Sequence, residues 1–575
     1  MSSKRGFPLI MALIVGTFAI SITTAFAQVD TAWVRIYNGL GNGEDIARAV
    51  AVDSCGNVYV TGWSWNGSNY DYATIKYYSN GDTAWIRTYN GPGNSDDRAY
   101  DIAVYGCDYV CITGTSGTIK YASNGSQLWF DSFIGNAIAV DDSGNIYVTG
   151  PSGTKKYGAG GWVGAWGGID IAVDPSHNVY VAGGTSDYVT IKYHPNGDIA
   201  WVKSYDGPAH SSDRASGIAV DGSGNVYVTG YSWGIETYGD YATIKYDPDG
   251  DTLWVRRYEV GVPDSATAIA VDASGNVYVT GYSCNMLFSC SYVTIRYDTD
   301  GNRVWVRQFG GYSTTNKAYA LALDSLSNVY VTGSSGVWGS GYDYATIKYD
   351  ASGNWLWSQG YNGPADSTDI AYAIAVDDSL NVYVTGGSIG SGSSYDYATI
   401  KYVQTQLPSV MLSSPNGGEG WQAGHQYYIT WSSQESTGYV RIDYSINSGA
   451  SFDSIIVSSY PNTGQYLWTV PSRTSSSHCR VRVCDAIDLN PADTSDSNFT
   501  IWRCGDVDDD GSVNVSDVVW LISYLFVLHG QPPYWPMCRA DVNGDGVINV
   551  SDVVYLINYL FVWGSPAPAC PEVPF

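Results

Sequence analysis

The chain has 575 residues, a formal net charge of −27 and 49 tyrosines, whereas only 14% of its residues are charged. This length exceeds what one hydrophobic core usually holds, so we expect several domains. An acidic chain repels nucleic acid and anionic lipid, so we expect no nucleic-acid partner. A composition rich in tyrosine and poor in charge is typical of a turn-rich, mainly β protein and not of a disordered one.

Residues 1–27 have the pattern of a secretory signal peptide. Lys4 and Arg5 precede an apolar run, which ends in "AFA" at 25–27, a small-residue cleavage pattern. The mature chain is then expected to begin at Gln28. No later apolar stretch approaches the roughly 18 residues that a membrane span needs. We therefore expect a secreted, extracellular or cell-surface protein without a membrane span in the mature chain.

Residues 28–403 contain one short strand pattern eight times. "NVYVTG" stands at 57–62, 225–230, 276–281, 328–333 and 381–386, and close variants stand at 109–114, 145–150 and 178–183. One full unit, 217–258, alternates four short strands with turns. Units of about 40–50 residues with several strands each indicate propeller blades.

The units carry the pattern "AIAVDxxGNVYVTG" and resemble the SBBP-type β-propeller repeat family, which implies the fold and no particular activity. Eight units predict eight blades, or seven if the short units around 115–183 merge. The first strand, 31–39, matches the fourth strand of a unit, and 396–403 matches a third strand. We therefore expect the N-terminal strand to complete the last blade.

Polar residues recur at fixed places in these units. Aspartates such as Asp221, Asp272 and Asp377 precede tight turns and are predicted to form them. Lysines recur inside the third strand, and we interpret them as solvated strand residues: Lys76, Lys245 and Lys348.

The loops between second and third strands carry aromatic residues, and loops are where binding residues concentrate. Four tryptophans are predicted to form a ligand face for a glycan or a protein: Trp63, Trp65, Trp233 and Trp338. The alternative is that these side chains only pack the loops.

After a linker at 404–408, residues 409–502 contain short alternating strands such as "YYITW" at 427–431 and "HCRVRVC" at 478–484. About ninety such residues suggest a β-sandwich. The region resembles Ig-like accessory modules that open with "PNGGExWxxGxxYxITW", here Pro415 to Trp431.

Two twelve-residue stretches near the C-terminus, 506–517 and 541–552, have the spacing of calcium loops. Such loops supply oxygen ligands from positions 1, 3, 5, 7, 9 and 12, with glycine at position 6. The predicted ligands of the first loop are Asp506, Asp508, Asp510, Ser512 (carbonyl), Asn514 and Asp517. Those of the second are Asp541, Asn543, Asp545, Val547 (carbonyl), Asn549 and Asp552. The alternative is a pair of surface turns without metal.

Each loop runs directly into an amphipathic stretch, and Ser516 and Ser551 are predicted helix N-caps. This loop–helix duplication, with Asp at position 12, resembles a type I dockerin over 503–575, a small all-α module. The resemblance implies two Ca²⁺ ions and a cohesin-like partner, bound through loop positions 10 and 11: Val515, Ser516, Val550 and Ser551. The helices lack the basic pair of many cellulosomal dockerins, which leaves the identity of that partner open.

Ten cysteines in an exported chain favour a few local disulfides. Cys284 and Cys290 flank one loop and are predicted to pair, and Cys55 and Cys107 occupy equivalent turns of adjacent units. The pairing of the remaining candidates stays open: Cys479, Cys484, Cys504, Cys538 and Cys570.

Three functional hypotheses follow. The first is a secreted, non-catalytic binding or surface-assembly protein, with the propeller for recognition and the dockerin for calcium-dependent attachment. The second is a glycan-active hydrolase or lyase of an extracellular polysaccharide-degrading assembly. The third is a purely structural surface-layer component. The sequence contains no G-x-S-x-G, H-E-x-x-H or P-loop motif, which favours a protein without catalysis and leaves an enzyme open.

Overall fold

The structure, a computed structural model, describes residues 28–235, 239–259, 263–285, 289–310, 314–337, 341–405, 409–434, 438–487, 489, 491–508, 510–527, 539–568 and 570. The predicted signal peptide, Trp338 and Cys538 lie outside the described residues. The chain divides into two bodies, of which one is Ala27–Thr405 and the other contains Gln406–Phe575. The protein is mainly β, and each body is described by itself.

Within its described residues, the first body contains eight groups of four antiparallel strands, which we call sheets 1 to 8. In sheets 1 to 7 the four strands follow one another in sequence and pair in that order. A single parallel bridge between Cys290 and Thr315 also joins sheets 6 and 7. Sheet 8 has three consecutive strands, and its fourth strand is the N-terminal one.

Sheet 1 contains β2 (Asp45–Val52), β3 (Val58–Trp65), β4 (Tyr70–Tyr77) and β5 (Thr83–Tyr89), and sheet 2 contains β6 (Ala99–Tyr105), β7 (Tyr109–Gly114), β8 (Gly117–Ala122) and β9 (Gln127–Asp131). Sheet 3 contains β10 (Ala137–Val140), β11 (Ile146–Gly150), β12 (Gly153–Tyr157) and β13 (Val163–Gly164), and sheet 4 contains β14 (Asp170–Val173), β15 (Val179–Gly183), β16 (Tyr188–Tyr193) and β17 (Ile199–Tyr205). Sheet 5 contains β18 (Asp213–Val220), β19 (Val226–Ser232), β20 (Asp240–Tyr246) and β21 (Thr252–Tyr258), and sheet 6 contains β22 (Asp264–Val271), β23 (Val277–Cys284), β24 (Cys290–Tyr297) and β25 (Arg303–Phe309). Sheet 7 contains β26 (Thr314–Leu323), β27 (Val329–Val337), β28 (Asp343–Tyr349) and β29 (Trp355–Tyr361), and sheet 8 contains β30 (Asp369–Val376), β31 (Val382–Ile389), β32 (Tyr395–Thr405) and β1 (Gln28–Tyr37).

The repeated "NVYVTG" segment forms the second strand of its sheet and is buried on both faces. In sheet 1, Val58 and Val60 pack with Tyr383 of sheet 8. Tyr59 points the other way and packs with Val110 of sheet 2. A sheet covered on both sides needs apolar side chains at successive positions, because no side of it faces water. The strand recurs because each sheet completes the core of its neighbours.

The glycine that ends this strand allows close approach of the first strand. A Cβ on Gly62 would lie 1.9 Å from the carbonyl oxygen of Ile46, and one on Gly386 would lie 1.9 Å from that of Ile370. Both distances are shorter than atoms can approach, so only glycine fits.

The N-terminal strand completes sheet 8, which contacts sheet 1, so that the eight sheets form a closed ring. β1 pairs antiparallel with β32, from Gln28 opposite Thr405 to Tyr37 opposite Tyr397. The first strands of successive sheets contact one another, and β2 of sheet 1 contacts β30 of sheet 8. The prediction that the N-terminal strand completes the last group of strands is confirmed.

The recurring aspartates form turns, as predicted. The carboxylate of Asp221 accepts hydrogen bonds from the backbone of Ser223 and Asn225 and from the Tyr227 hydroxyl. The same pattern holds at Asp272 and Asp377.

The interpretation of the recurring lysines as solvated is wrong. Lys76, Lys245 and Lys348 are all buried. The Nζ atom of Lys245 donates to the carbonyl oxygen of Thr299 in the next sheet at 2.9 Å, and that of Lys76 donates to the carbonyl oxygen of Ser123 at 3.0 Å. Because neighbouring sheets cover both faces of the third strand, its polar positions tie two sheets together.

The second body begins with two sheets that share one core. The first is β33 (Ser409–Ser414), β35 (Gln426–Gln434) and β38 (Gln465–Thr469), and the second is β34 (Gly420–Gln422), β41 (Phe499–Trp502), β39 (Ser476–Asp485), β36 (Tyr439–Ser445), β37 (Ser454–Pro461) and β40 (Ala492–Thr494). Their inward side chains include Trp421, Ile429, Trp468 and Phe499.

The described residues contain two α-helices, α1 (Val515–Phe526) and α2 (Val550–Phe561). They share a small core that includes Val518, Leu521, Val553 and Leu556. Neither helix is long enough and apolar enough to cross a membrane, and no other helix in the described chain is.

Candidate calcium loops and ligand face

The first predicted calcium loop folds around the carboxylate of Asp517. This buried side chain accepts backbone hydrogen bonds from Val507 and Asp508 on one oxygen and from Asn514 on the other. Oxygens of Asp506, Asp508 and Asp517 all lie within 4.8 Å of one another. Asp510 accepts from the backbone of Ser512 at 2.8 Å within the same loop.

The second loop repeats this arrangement. Asp552 is buried and accepts from the backbone of Asn543 at 3.3 Å and of Asn549 at 2.8 Å. Asp541 accepts from the backbone of Asp545 and Gly546. Position 12 of the two loops, Asp517 and Asp552, thus makes equivalent contacts to loop positions 3 and 9.

The oxygen donors in these loops fit a calcium ion. Burial, together with the nearby Asp508, raises the pKa of Asp517 to about 6, although the backbone hydrogen bonds that it accepts act to lower it. Burial also raises the pKa of Asp552, with Asp541 and Asp545 adding to the effect. Crowded carboxylates of this kind disfavour their own charge unless a cation neutralises them. Calcium prefers an all-oxygen donor set.

The predicted N-caps are wrong by two residues. The helices begin at Val515 and Val550, and their N-caps are Asn514 and Asn549. Each asparagine side chain accepts from the backbone two residues later, and Asp517 or Asp552 completes a capping box. Ser516 turns its hydroxyl toward Asp508 instead. Loop position 9 therefore also serves as the helix cap.

The predicted ligand face of the first body holds Trp63, Trp65 and Trp233 in different environments. Trp63 is buried, and its indole nitrogen donates to the carboxylate of Glu44 at 3.3 Å. Trp65 and Trp233 are half-buried. The Trp65 ring contacts Tyr70 edge-on at 5.2 Å, and Trp233 contacts Tyr231 at 6.2 Å. Trp63 thus packs within this face, while the other two present part of their surface.

Two half-buried carboxyls lie on the first strands of sheets 2 and 4. Burial raises the pKa of Asp101 to about 7 and that of Asp170 to about 6. Each carboxylate accepts one backbone hydrogen bond within its own strand and one from another sheet, from Ile138 and Ile218 respectively, at 2.8 Å. These groups, which the sequence pattern did not single out, tie the first strands together.

Family models match two parts of the chain. The model described as "Dockerin type I domain" matches residues 504–561. The SBBP model, described as "Beta-propeller repeat", matches 32–71, 131–153, 207–235, 253–285 and 304–337. The chain carries SBBP beta-propeller repeats and a C-terminal type I dockerin domain.

Other similarities are weaker than these. An uncharacterized WD repeat-containing protein of Acanthamoeba polyphaga mimivirus is 28% identical over 200 residues, which are 34% of this chain and 11% of that protein. The chain thus spans about a tenth of the length of that curated relative. Sqt1 from Chaetomium thermophilum is 12% identical, with a TM-score of 0.43, over 66% of this chain and 99% of that chain. The WD40 domain of SCAP from fission yeast is 8% identical, with a TM-score of 0.39, over 65% and 98%.

Type I dockerin domains bind calcium, which agrees with the acidic cluster in the first loop. A dockerin domain supports attachment to a cohesin and occurs in extracellular or cell-surface proteins, and a propeller supports a binding or scaffold role. In this dockerin, Val515 and Val550 are each half exposed at 51%, Ser551 is exposed and Ser516 is half-buried.

Three disulfides join described cysteines. Cys284 pairs with Cys290, as predicted, and Cys55 pairs with Cys107 between sheets 1 and 2. Cys504 pairs with Cys570 and so joins the two ends of the dockerin, a pairing that the sequence left open. Cys479 and Cys484 are buried thiols.

Proposed function

We propose that this protein is a secreted, non-catalytic binding or surface-assembly protein. A signal peptide exports it, and the eight sheets are the blades of an eight-bladed, not seven-bladed, propeller that recognises a glycan or a protein. Residues 409–502 are an Ig-like spacer after the linker at 404–408. The dockerin attaches the chain to a cohesin-like partner when its two loops hold two calcium ions.

One observation carries the attachment role: both dockerin helices expose the same apolar stripe. The exposed side chains on α1 are Val515, Val519, Ile522 and Phe526, and those on α2 are Val550, Val554, Ile557 and Phe561. Their spacing of four, three and four residues places each set on one helix face. Apolar stripes that remain exposed on a folded module are typical of interaction surfaces. The equality of the two stripes supports docking through either helix.

Calcium would neutralise the carboxylates of the two loops from which these helices begin. In the proposal, the six predicted ligands of each loop hold one ion. Asp517 and Asp552 orient the start of their helices, since each also completes a capping box. The stripes begin at Val515 and Val550, directly after the caps, so the metal fixes where each stripe starts.

A catalytic role for the propeller would draw on Asp101 and Asp170, whose raised pKa values resemble those of acid–base residues. Both carboxylates, however, accept backbone hydrogen bonds from two sheets. These bonds give both carboxylates a structural role, because each one joins two sheets. This favours the non-catalytic proposal over a hydrolase or lyase.

The attachment is tested with immobilised type I cohesin modules and the full chain, by biolayer interferometry. We expect calcium-dependent binding to at least one cohesin that is lost on chelation. Val519→Asp and Val554→Asp should each be tolerated, because the other helix still docks, whereas the double variant should lose binding. Leu253→Asp, at an exposed propeller position, is the matched control. Binding that survives the double variant would contradict the proposal.

The recognition role is tested on glycan and peptide arrays. Trp65→Ala with Trp233→Ala should reduce binding of any ligand found, while the melting temperature stays within about 1–2 °C, since both side chains are only half-buried. Unchanged binding would place the ligand site away from this face.

A further inference from the structure

The first strands of six sheets share a bulge that turns one extra side chain out of the ladder. Their pairing with the second strand shifts register at Arg48, Tyr100, Ser216, Thr267, Tyr319 and Tyr372. Bulges re-aim side chains and are frequent beside functional sites. Because the first strands contact one another around the ring, these six side chains surround its centre, and we call them the bulge ring.

Arg48 is the cation of the bulge ring. Its guanidinium lies 4.4 Å from the centre of the Tyr372 ring and 5.9 Å from that of Trp63. Burial lowers the pKa of Arg48, and the nearby hydroxyls of Tyr372, Tyr100 and Tyr319 oppose this effect. Aromatic residues from four sheets therefore approach one arginine.

Arg48 has no acidic partner in the described part of the chain. No described carboxylate lies within 4.0 Å of it, and its side chain makes no hydrogen bond to a described residue. Two other arginines of the sheets do have polar partners: Arg256 donates to the carbonyl oxygen of Gly301 at 2.6 Å, and Arg257 pairs with Asp240. A half-buried guanidinium that makes no hydrogen bond to a described residue retains its hydrogen-bonding capacity for a ligand.

Further cations stand two residues before the bulge in three sheets. Arg98 lies over Trp63 at 5.2 Å and over Tyr70 at 4.6 Å, and it also pairs with the exposed Asp96 at 3.5 Å. Lys317 lies 4.9 Å from the centre of the Tyr282 ring. Arg214 lines a cavity of about 440 Å³ together with Tyr231, Trp233 and Ser265. We call the bulge ring, these three cations and the aromatic rings beside them the rim. It carries several cations although the net charge of the chain is −27.

We infer that this rim binds an acidic glycan, with a sugar carboxylate seated on Arg48 and the neighbouring rings packed against the sugar. The inference rests on the proposed binding role of the propeller and names its ligand class. A guanidinium is planar and matches a carboxylate with two parallel hydrogen bonds. Aromatic faces beside it offer apolar area to the C–H face of a sugar ring.

The surroundings favour a uronic-acid sugar over an acidic peptide. A uronic acid holds its carboxylate on a stiff ring, so charge and stacking surface arrive together. Glutamate side chains lose more rotamer freedom on binding. The negative charge of the whole chain also opposes ligands of high charge density. The rim therefore suits a short uronate segment that makes few ionic contacts.

The test uses isothermal titration calorimetry on the full chain with trigalacturonic acid, its methyl ester and a hexaglutamate peptide. We expect trigalacturonic acid to bind and the uncharged ester to bind at least tenfold more weakly. Arg48→Gln should weaken trigalacturonic acid at least tenfold, and Arg48→Lys should fall between, because it keeps the charge and loses the planar fork. Arg303→Gln removes the same charge from an exposed strand position and should change nothing.

Circular dichroism and the melting temperature show whether each variant folds. If Arg48→Gln does not fold, Tyr372→Leu and Arg214→Gln carry the test, with at least threefold weaker binding expected for each. The inference is overturned if the ester binds as well as the acid, if hexaglutamate binds more tightly, or if nothing binds. It is also overturned if calcium chelation abolishes binding while Arg48→Gln leaves it unchanged. Binding of a neutral glycan or a protein that ignores Arg48 would overturn this inference and leave the proposed recognition role standing.

Discussion

The closure of the ring by the N-terminal strand can be tested at a single side chain. Trp33 on β1 is buried, and its indole nitrogen donates to the carbonyl oxygen of Ser79 in sheet 1 at 3.2 Å. Its ring lies between Tyr77 of sheet 1 and Tyr383 of sheet 8, at 5.8 and 6.1 Å. This residue therefore bonds sheet 8 to sheet 1, the last and first sheets of this body.

Replacing Trp33 by alanine should cost about 3–5 kcal/mol, the usual range for removing a buried large aromatic side chain. The body that contains it has about 380 residues. With about 2.1 cal/mol/K of unfolding entropy per residue, the unfolding entropy is about 0.8 kcal/mol/K. A loss of about 4 kcal/mol then lowers the melting temperature by about 5 °C.

Trp254 provides a matched control because it makes the same contacts between two sheets that are adjacent in sequence. Its indole nitrogen donates to the carbonyl oxygen of Thr299 at 3.2 Å, and its ring lies between Tyr227 and Tyr297. Calorimetry of the full chain at fixed calcium should give equal shifts for Trp33→Ala and Trp254→Ala. Ile36→Ala, on β1 but 44% exposed, should shift the transition by about 1 °C or less. A silent Trp33→Ala beside a strongly destabilising Trp254→Ala would refute closure by β1.

Two further predictions concern protons and metal. Stability should fall steeply as the pH rises above about 10. Burial raises the pKa of Tyr121, Tyr246 and Tyr297 to about 12. The folded chain therefore keeps protons that the unfolded chain releases near pH about 10, and unfolding becomes more favourable. Tyrosinate absorbance and circular dichroism should change together, and ionisation of all tyrosines near pH 10 without unfolding would contradict this reasoning. A fragment of residues 503–575 should gain helix as it binds two calcium ions in calorimetry, since carboxylates repel one another in the first loop and in the second without a cation. Asp517→Asn should weaken one of the two sites. An apo fragment that is already fully helical would refute the metal assignment.

Much of the fold could be predicted because the same strand pattern occurs eight times in the sequence. The unmatched third strand at 396–403 and the unmatched fourth strand at 31–39 led directly to the pairing of β1 with β32. The ligand spacing of the two loops likewise predicted where their carboxylates converge, and Asp506, Asp508 and Asp517 do come together.

Two kinds of residue were misread for physical reasons. Alternation along a strand shows that two faces differ, but it does not show whether a neighbouring sheet covers the polar face, so Lys245 was expected in water and is buried. A bulge changes the direction of one side chain without changing the composition of its strand. Arg48 therefore looked like an ordinary strand residue in the sequence.

Structural positions and the bulge position of each repeat differ in the contacts that they make, which explains why binding residues can occur at the bulge. Positions shared by the sheets are occupied with holding the ring: Thr229 and Thr243 share a hydrogen bond at 3.0 Å, Thr280 and Thr294 do the same, and Lys245 bonds the next sheet. A change at a threonine of either pair breaks a bond between two strands of one sheet, and a change at Lys245 disturbs two sheets at once. The bulge position instead carries arginine, serine, threonine or tyrosine in different sheets. The hydroxyls of Ser216 and Thr267 still donate to carbonyl oxygens of the next sheet, at Ala266 and Ala318, whereas Arg48 makes no hydrogen bond to a described residue. Where the bulge side chain makes no hydrogen bond to the next sheet, as at Arg48, chemistry can vary with less effect on the ring. The same argument applies to the two exposed stripes of the dockerin, which lie outside the core of Leu521 and Leu556.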